Sequence, residues 1–152
     1  MNSITCQSQS EGATRAFARM LATRLSQGGT ILLTGELGAG KTTFVQGLAD
    51  ELGVTESITS PTFSLVALHP VTKHARITQL VHVDLYRLLN PLDIATLDLA
   101  QYQNDPAILL VIEWSERCPE QFTDCLGTIQ FTLSDYHDRQ LLFTGQLADL
   151  IQ

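Results

Sequence analysis

Apolar and polar residues follow two periods along the 152-residue chain, one typical of strands and one typical of helices. Residues 3–7 predict a short edge strand, and residues 13–25 carry apolar side chains at near-helical spacing. Residues 8–11 have the spacing of a capping box, a serine with a glutamate three residues later, ahead of that helix. The run Thr-Ile-Leu-Leu-Thr at 30–34 predicts a buried strand, and residues 42–52 predict a second helix that a glycine ends.

The middle of the chain predicts a hairpin followed by a helix. Residues 63–68 and 75–84 alternate between apolar and polar side chains, and the polar stretch 69–74 separates them, so we expect two antiparallel strands. The next helix is expected over residues 90–102. Its start has an asparagine suited to the cap, a proline suited to the first turn and an acid that favours the helix dipole.

The last third predicts three more strands. Residues 107–112 form the most apolar run of the chain and predict a central strand that is buried on both faces. Residues 126–133 and 139–144 alternate and predict a closing antiparallel hairpin. The pattern as a whole predicts one α/β domain over residues 1–152, in which helices flank a mixed sheet with a parallel core and antiparallel hairpins.

The segment Gly-Glu-Leu-Gly-Ala-Gly-Lys-Thr at 35–42 fills every fixed position of the phosphate-binding P-loop motif G-x-x-x-x-G-K-[ST]. It lies between a predicted strand and a predicted helix, which is the context that the motif requires. Glycines let backbone N–H groups turn towards a phosphate, and the helix N-terminus adds partial positive charge. Lys41 is expected to contact the β- and γ-phosphates and Thr42 to bind Mg²⁺. The alternative, a glycine-rich turn before an ordinary helix, is disfavoured because all four fixed positions are filled. The fold is therefore expected to be P-loop NTPase-like.

Two predicted strands end in an acid, Asp84 and Glu113. A magnesium–nucleotide site needs an acid near the metal, and hydrolysis needs a group that orients or deprotonates water. Spacing alone does not decide which acid has which role, and either one could merely end a strand.

Other candidates surround these residues. Ser60-Pro61-Thr62 is a candidate switch that follows the P-loop helix, and a rigid turn is an equally good interpretation. Trp114, the only tryptophan, follows Glu113 and is a natural reporter of nucleotide binding. His82 is interpreted as structural.

Composition restricts the class of protein. The net charge is −7 and there are only two lysines, which argues against autonomous, non-specific binding to nucleic acid. Three cysteines without a C-x-x-C pair favour reduced thiols and a cytoplasmic location. The sequence contains neither an apolar run that could span a bilayer nor a signal-peptide core, so no membrane association is expected.

Four segments, taken in order, resemble the TsaE (YjeE) family: GELGAGKTTF at 35–44, SPTF at 60–63, HVDLYRL at 82–88 and IEWSE at 112–116. Their intervals and the chain length also match, so the resemblance covers nearly the whole chain. It implies a magnesium-dependent ATPase required for threonylcarbamoyladenosine at position 37 of tRNA. In that family the ATPase acts with a heterodimer of TsaB and TsaD and reaches tRNA only through this complex.

The resemblance also implies roles for individual residues. Thr42 and Glu113 would bind Mg²⁺, Asp84 would be the catalytic or metal-associated acid, and Thr62 would act from the switch-like loop. Glu11 and Asp138 would lie near the base of the nucleotide. The residues implied to hold ATP along the P-loop are Leu37, Gly38, Ala39, Gly40, Lys41, Thr42 and Thr43.

Three other functions use the same motif. A small-molecule kinase would need an arginine-rich lid, and the seven arginines of this chain are not clustered. A GTPase would carry an N-K-x-D segment, and no asparagine here is followed by lysine. A nucleotide-gated binding module without chemistry stays open. For the ATPase we expect slow hydrolysis without partners, because the sequence has no obvious arginine finger.

Overall fold

A computed structural model describes residues 2–61, 64–135 and 137–152. In these residues seven strands form one sheet with the spatial order β1-β7-β6-β2-β5-β4-β3. The strands are β1 (Ser3–Ser8), β2 (Gly29–Gly35), β3 (Val66–Pro70), β4 (Gln79–Asp84), β5 (Ile108–Glu113), β6 (Gly127–Leu133) and β7 (Arg139–Thr144). The α-helices are α1 (Glu11–Arg24), α2 (Lys41–Leu52) and α3 (Gln146–Ile151), and 3-10 helices cover Pro91–Leu97, Leu99–Gln101 and Ser115–Arg117.

The sheet is mixed, as the sequence predicts. Strands β6, β2, β5 and β4 are parallel neighbours, whereas β3 pairs with β4, β7 with β6, and β1 with β7 in antiparallel fashion. Both predicted hairpins and the predicted edge strand are confirmed. Because the carboxyl ends of parallel strands meet at one edge of a sheet, Gly35, Asp84 and Glu113 come to the same edge, where Asp84 and Glu113 are paired in register.

Different elements cover the two faces of the sheet. The three α-helices pack on one face, whose buried side chains include Leu21, Phe44 and Phe143. On the other face Leu110 and Ile112 of β5 pack with residues of the 3-10 segments and their flanking loops. Every side chain of β5 is buried, which confirms the prediction of a strand covered on both faces. Burial of each large apolar side chain contributes roughly 1.5–3 kcal/mol.

Helices α1 and α2 touch at Gly47. A Cβ atom at this position would lie 2.6 Å from the carbonyl oxygen of Arg15 and 2.7 Å from the Cβ of Ala18, closer than real contacts allow. The absence of a side chain therefore lets the two backbones approach, and this approach holds the start of α1 beside the P-loop. Within the described ranges, every helix falls short of the length and apolar character that a membrane span requires.

The predicted capping box at residues 8–11 is wrong. The N-cap of α1 is Ser10, whose side chain accepts a hydrogen bond from the N–H of Ala13 at 3.0 Å. Ser8 instead ends β1, and its hydroxyl lies 2.7 Å from that of Thr14. Both serines lie just before the helix and could cap it. Ser8 is paired with β7 as the last residue of β1, so Ser10 is the serine that caps α1.

The predicted helix over residues 90–102 is wrong in type. Its predicted start is correct, since Asn90 caps the segment by accepting from the N–H of Leu92, but the chain then forms two 3-10 helices. Asp98 interrupts them with a φ of 49°. The buried anchors Ile94 and Leu99 are five residues apart, which does not fit one face of an α-helix, so burial of both favours the tighter and interrupted path.

The first hairpin has different bounds from those predicted. Leu65 adopts a φ of 61°, which is not a strand conformation, and β3 begins after it and extends through His69 and Pro70, which were expected in the loop. Pro70 is tolerated because β3 is an edge strand. Strand β4 begins only at Gln79, because the ring nitrogen Nδ1 of His74 accepts hydrogen bonds from two following backbone N–H groups and holds residues 74–77 in a turn.

Candidate nucleotide and magnesium site

The P-loop connects β2 to α2 through backbone conformations that glycine tolerates. Gly35, Gly38 and Gly40 have φ values of 138°, 78° and 106°. Gly40 is the N-cap of α2 and provides no side-chain cap, so the N–H groups of the first turn remain available to an anion. The loop and the helix start therefore have the geometry that the motif predicts.

A cavity of about 500 Å³ opens at this end of the sheet, a volume typical of small-molecule sites. Most of the predicted site residues line it. The predicted residues in its lining are Glu11, Leu37, Gly38, Gly40, Lys41, Thr42, Thr43, Asp84 and Glu113, and the lining also contains Thr14, Ser60, Pro61, Tyr86, Arg87, Trp114 and Arg139. Ala39 is part of the P-loop but is buried behind it, with its N–H donating to the carbonyl oxygen of Glu36 at 3.1 Å.

Lys41 is buried although it is charged. Its ammonium group donates to the carbonyl oxygens of Gly35 at 2.6 Å and Glu36 at 2.9 Å, and it lies 4.2 Å from the ring centroid of Trp114. Burial lowers the pKa of Lys41, while the charge of Glu113 and other nearby acids acts in the opposite direction. The side chain thus supplies a partly desolvated cation beside the P-loop, where an anion would interact with it strongly.

Oxygen atoms of three residues converge at the start of α2. The hydroxyl of Thr42 donates to the carboxylate of Glu113, with both oxygens at 3.0 Å, and the hydroxyl of Ser60 lies 3.1 Å from that of Thr42. Glu113 is only 2% exposed. Hydroxyl and carboxylate oxygens are the ligands that Mg²⁺ prefers, so this donor set fits the predicted ion. The sequence singled out the segment of Ser60 but did not assign this hydroxyl to the metal.

Asp84 lies beside Glu113 on the neighbouring strand. It is 8% exposed, and its Oδ1 atom accepts the backbone N–H of Tyr86 at 2.9 Å. Burial raises the pKa of Asp84, the N–H of Tyr86 opposes this, and the charge of Glu113 adds to the increase. The two acids that sequence analysis paired are therefore adjacent, and their separate roles remain predictions.

His82 has a position that sequence analysis missed. Its Nε2 atom lies 2.5 Å from Oε2 of Glu113, and its side chain is fully buried. Its Nδ1 atom has no hydrogen-bond partner among the described residues. The interpretation of His82 as structural was incomplete, because the spacing of two residues from Asp84 puts both side chains on the strand face that Glu113 also occupies. That spacing is the signal that could have identified it.

The other end of the cavity differs in part from expectation. Glu11 lines the cavity and pairs with Arg15 at 3.7 Å, but Asp138 is absent from the lining. Its neighbour Arg139 lines the cavity instead and donates to the carbonyl oxygen of Gly38 at 3.2 Å. Asp138 precedes β7 and lies in the turn between β6 and β7, where its N–H donates to the carbonyl oxygen of Asp135, and its role near the base of the nucleotide remains a prediction. Thr62, the predicted switch residue, lies outside the described residues.

Comparisons with known proteins identify the family of this chain. The family model described as "Threonylcarbamoyl adenosine biosynthesis protein TsaE" matches residues 8–141. A Nostoc protein described as tRNA threonylcarbamoyladenosine biosynthesis protein TsaE is 41% identical over 138 residues, which cover 87% of this chain and 82% of that protein. A protein with the same description from Streptomyces coelicolor is 44% identical over 111 residues, 72% of each chain.

A solved structure has the same fold. The crystal structure of Bacillus subtilis YdiB aligns with a TM-score of 0.75 and 25% sequence identity, over 99% of this chain and 91% of that one. The family model spans most of this chain, including the P-loop, both acid-ended strands and the start of the last hairpin. The chain therefore belongs to the TsaE family, which takes part in the biosynthesis of threonylcarbamoyladenosine in tRNA.

Proposed function

We propose that this chain binds magnesium and ATP in the cavity at the P-loop and hydrolyses ATP in support of threonylcarbamoyladenosine biosynthesis, together with a TsaB–TsaD heterodimer. The observation that carries the proposal is the contact between Thr42 and the buried carboxylate of Glu113 at the start of α2, with Asp84 on the adjacent strand. An ordinary structural threonine would not require a buried carboxylate with a second acid beside it, because such a pair costs desolvation and repulsion.

The chain's own residues divide the work between binding and hydrolysis. The P-loop N–H groups and the ammonium group of Lys41 bind the phosphates, and the oxygens of Thr42 and Glu113 hold Mg²⁺. The ion, when bound, neutralises charge on the phosphates. Asp84 orients the attacking water and accepts its proton at Oδ2, since Oδ1 already accepts the N–H of Tyr86. A carboxylate with a raised pKa accepts a proton more readily near neutral pH, which suits this role.

Partner dependence follows from the charge and from the cavity. The net charge of −7 disfavours direct binding to tRNA, so a partner must deliver the tRNA. Arg139 lines the cavity, but its guanidinium already donates to the carbonyl oxygens of Gly38 and His137. A cation aimed at the transferred phosphate can contribute roughly 10³–10⁵ in rate. We therefore expect slow hydrolysis by the chain alone and faster hydrolysis with the heterodimer.

The test measures ATP binding and turnover with and without Mg²⁺ and the TsaB–TsaD heterodimer. Lys41→Ala should abolish measurable ATP binding, and Glu113→Gln should remove the dependence of ATP binding on Mg²⁺. Lys73→Ala is the matched control, because it removes the only other lysine, which is exposed and whose N–H donates to the carbonyl oxygen of Leu52 at the end of α2 away from the P-loop. Magnesium-dependent ATP affinity in the wild-type chain supports the proposal, and its absence from folded protein contradicts it.

The ability of variants to support modification separates a role of ATP hydrolysis from nucleotide-gated binding. If Asp84→Ala and Glu113→Ala still bind ATP and no longer support threonylcarbamoyladenosine formation with the heterodimer, the chemistry is required. If both variants support modification as the wild type does, the chain acts through binding alone and the ATPase assignment is wrong.

A further inference from the structure

The loop of residues 54–61 returns from the end of α2 to the metal-binding end of the cavity. It leaves α2 at Gly53, and it brings the hydroxyl of Ser60 to 3.1 Å from that of Thr42 in the first helical turn. Between these points the side chain of Ile58 is buried in the core under the α-helices. The position of Ser60 therefore depends on how Ile58 is held against α2.

Gln46 holds the loop at this point through its side-chain amide. Its Nε2 atom donates to the carbonyl oxygen of Ile58 at 3.0 Å, and its Oε1 atom accepts from the guanidinium of Arg15 at 3.2 Å. A primary amide can donate and accept hydrogen bonds at once. Here the carbonyl oxygen can only accept and the guanidinium can only donate, so the two partners fix the orientation of the amide. The two hydrogen bonds link α1, α2 and the loop.

The link continues to the other end of the cavity. Arg15 also pairs with Glu11 at 3.7 Å, and Glu11 lines the cavity near the start of α1. Helices α1 and α2 approach closely at Gly47, the residue after Gln46. This approach fixes the separation of the two helices that these contacts join. Polar contacts thus run from the lining at Glu11 to the loop that carries Ser60.

We propose that Gln46 is a positioning residue for nucleotide binding, which anchors the loop of residues 54–61 so that Ser60 lies beside Thr42 when Mg²⁺ and ATP bind. This inference rests on the proposed function. Gln46 is not in the cavity lining and acts through the backbone of Ile58. An unanchored loop populates the binding-competent position in a smaller fraction of molecules. The apparent affinity for the nucleotide falls in proportion to that fraction.

Substitutions at Gln46 separate its two hydrogen bonds. Gln46→Glu keeps an acceptor for Arg15 but turns a carboxylate oxygen towards the carbonyl of Ile58, and Gln46→Leu removes both contacts. We expect both variants to weaken binding of a magnesium-bound, non-hydrolysable ATP analogue about two- to tenfold, the value of one such hydrogen bond.

Hydrogen exchange of the loop amides without nucleotide gives a readout independent of ATP. In both variants the amides of residues 55–60 should exchange faster than in the wild type. Asp50→Ala is the matched control, because Asp50 pairs with Arg19 at 3.2 Å and links the same two helices without contacting the loop. It should leave loop exchange and analogue affinity unchanged.

The outcomes are distinguishable. If the wild type does not bind the analogue with Mg²⁺, the proposed function fails, and loop exchange still decides whether Gln46 anchors the loop. If the wild type binds and Gln46→Glu matches it in both loop exchange and affinity, the inference is overturned. Equal loosening by Asp50→Ala would also overturn it, because the contact between the helices would then be the cause.

Discussion

Asp84→Asn should make the nucleotide-free protein more stable while it removes activity. Asp84 and Glu113 are buried carboxylates at paired positions of parallel strands. Such strands lie about 4.8 Å apart, and two charges at that separation repel by roughly 3 kcal/mol at an effective dielectric constant of 20. Hydrogen bonding from Tyr86 and the charge of Lys41 offset part of this cost. We expect the substitution to raise the free energy of unfolding by about 1–2 kcal/mol, which is within the usual range of single stabilising substitutions.

The gain should depend on pH with a defined sign. Burial, followed by the charge of Glu113, raises the pKa of Asp84 in the folded chain above the ordinary value of 3.8. Between these two pKa values the folded state binds more protons than the unfolded state, so the stability of the wild type falls as pH rises through that window. The asparagine does not titrate. Its advantage should therefore be largest near neutral pH and smaller in acid.

The assay is urea unfolding without nucleotide or Mg²⁺, at about pH 4.5 and about pH 7.5. At the higher pH the melting temperature of Asp84→Asn should also exceed that of the wild type by about 2–8 °C for a chain of this size. Asp124→Asn, at an exposed position, is the control and should change neither value. ATP hydrolysis by Asp84→Asn should fall by about 10²–10⁴-fold if Asp84 is the general base. A stability gain that is absent, or equally large in acid, would refute the electrostatic reasoning.

Variants at three more positions test contacts elsewhere in the site and the core. His82→Ala should weaken Mg²⁺ binding about 10–100-fold, because Glu113 loses the hydrogen bond that orients it. His82→Gln should restore part of the affinity. A magnesium titration monitored by tryptophan fluorescence measures both effects. Arg139→Ala should lower ATP affinity, measured by calorimetry, by about tenfold through loss of a cation from the lining. Gly47→Ala should destabilise the fold by about 1–3 kcal/mol in urea unfolding, although alanine favours helix, because its Cβ would overlap α1. Wild-type behaviour of any variant would contradict the contact on which it is based.

The parts of the fold that were predictable depend on local chemistry or on runs of one period. The P-loop requires glycine at fixed positions, and the run 107–112 is too apolar to lie anywhere except inside the sheet. Parallel order then brings Asp84 and Glu113 to one edge without further information. The pairing of these acids could therefore be predicted from the sequence.

The missed features depend on contacts between distant segments. His82 contacts Glu113 on the neighbouring strand; its spacing of two residues from Asp84 places both on one strand face, but the sequence contains no local sign of the register between β4 and β5. Arg139 is the first residue of β7 and lines the cavity, whereas Asp138 lies in the preceding turn, and the sequence does not mark the residue at which β7 begins. The 3-10 path of residues 91–101 results from tertiary burial of two anchors, which overrides a good helix start.

One face of the sheet is covered by α-helices and the other by 3-10 segments and loops, and this difference affects how sequences of this family can diverge. The α-helical face carries the P-loop helix and tolerates little change, since α1 and α2 touch backbone to backbone at Gly47. The opposite face is closed by short turns held at a few anchors, such as Ile94 and Leu99. Insertions, deletions and exchanges of composition between β4 and β5 can accumulate there while the two carboxylates stay in place, so this connection is where relatives should differ most in length.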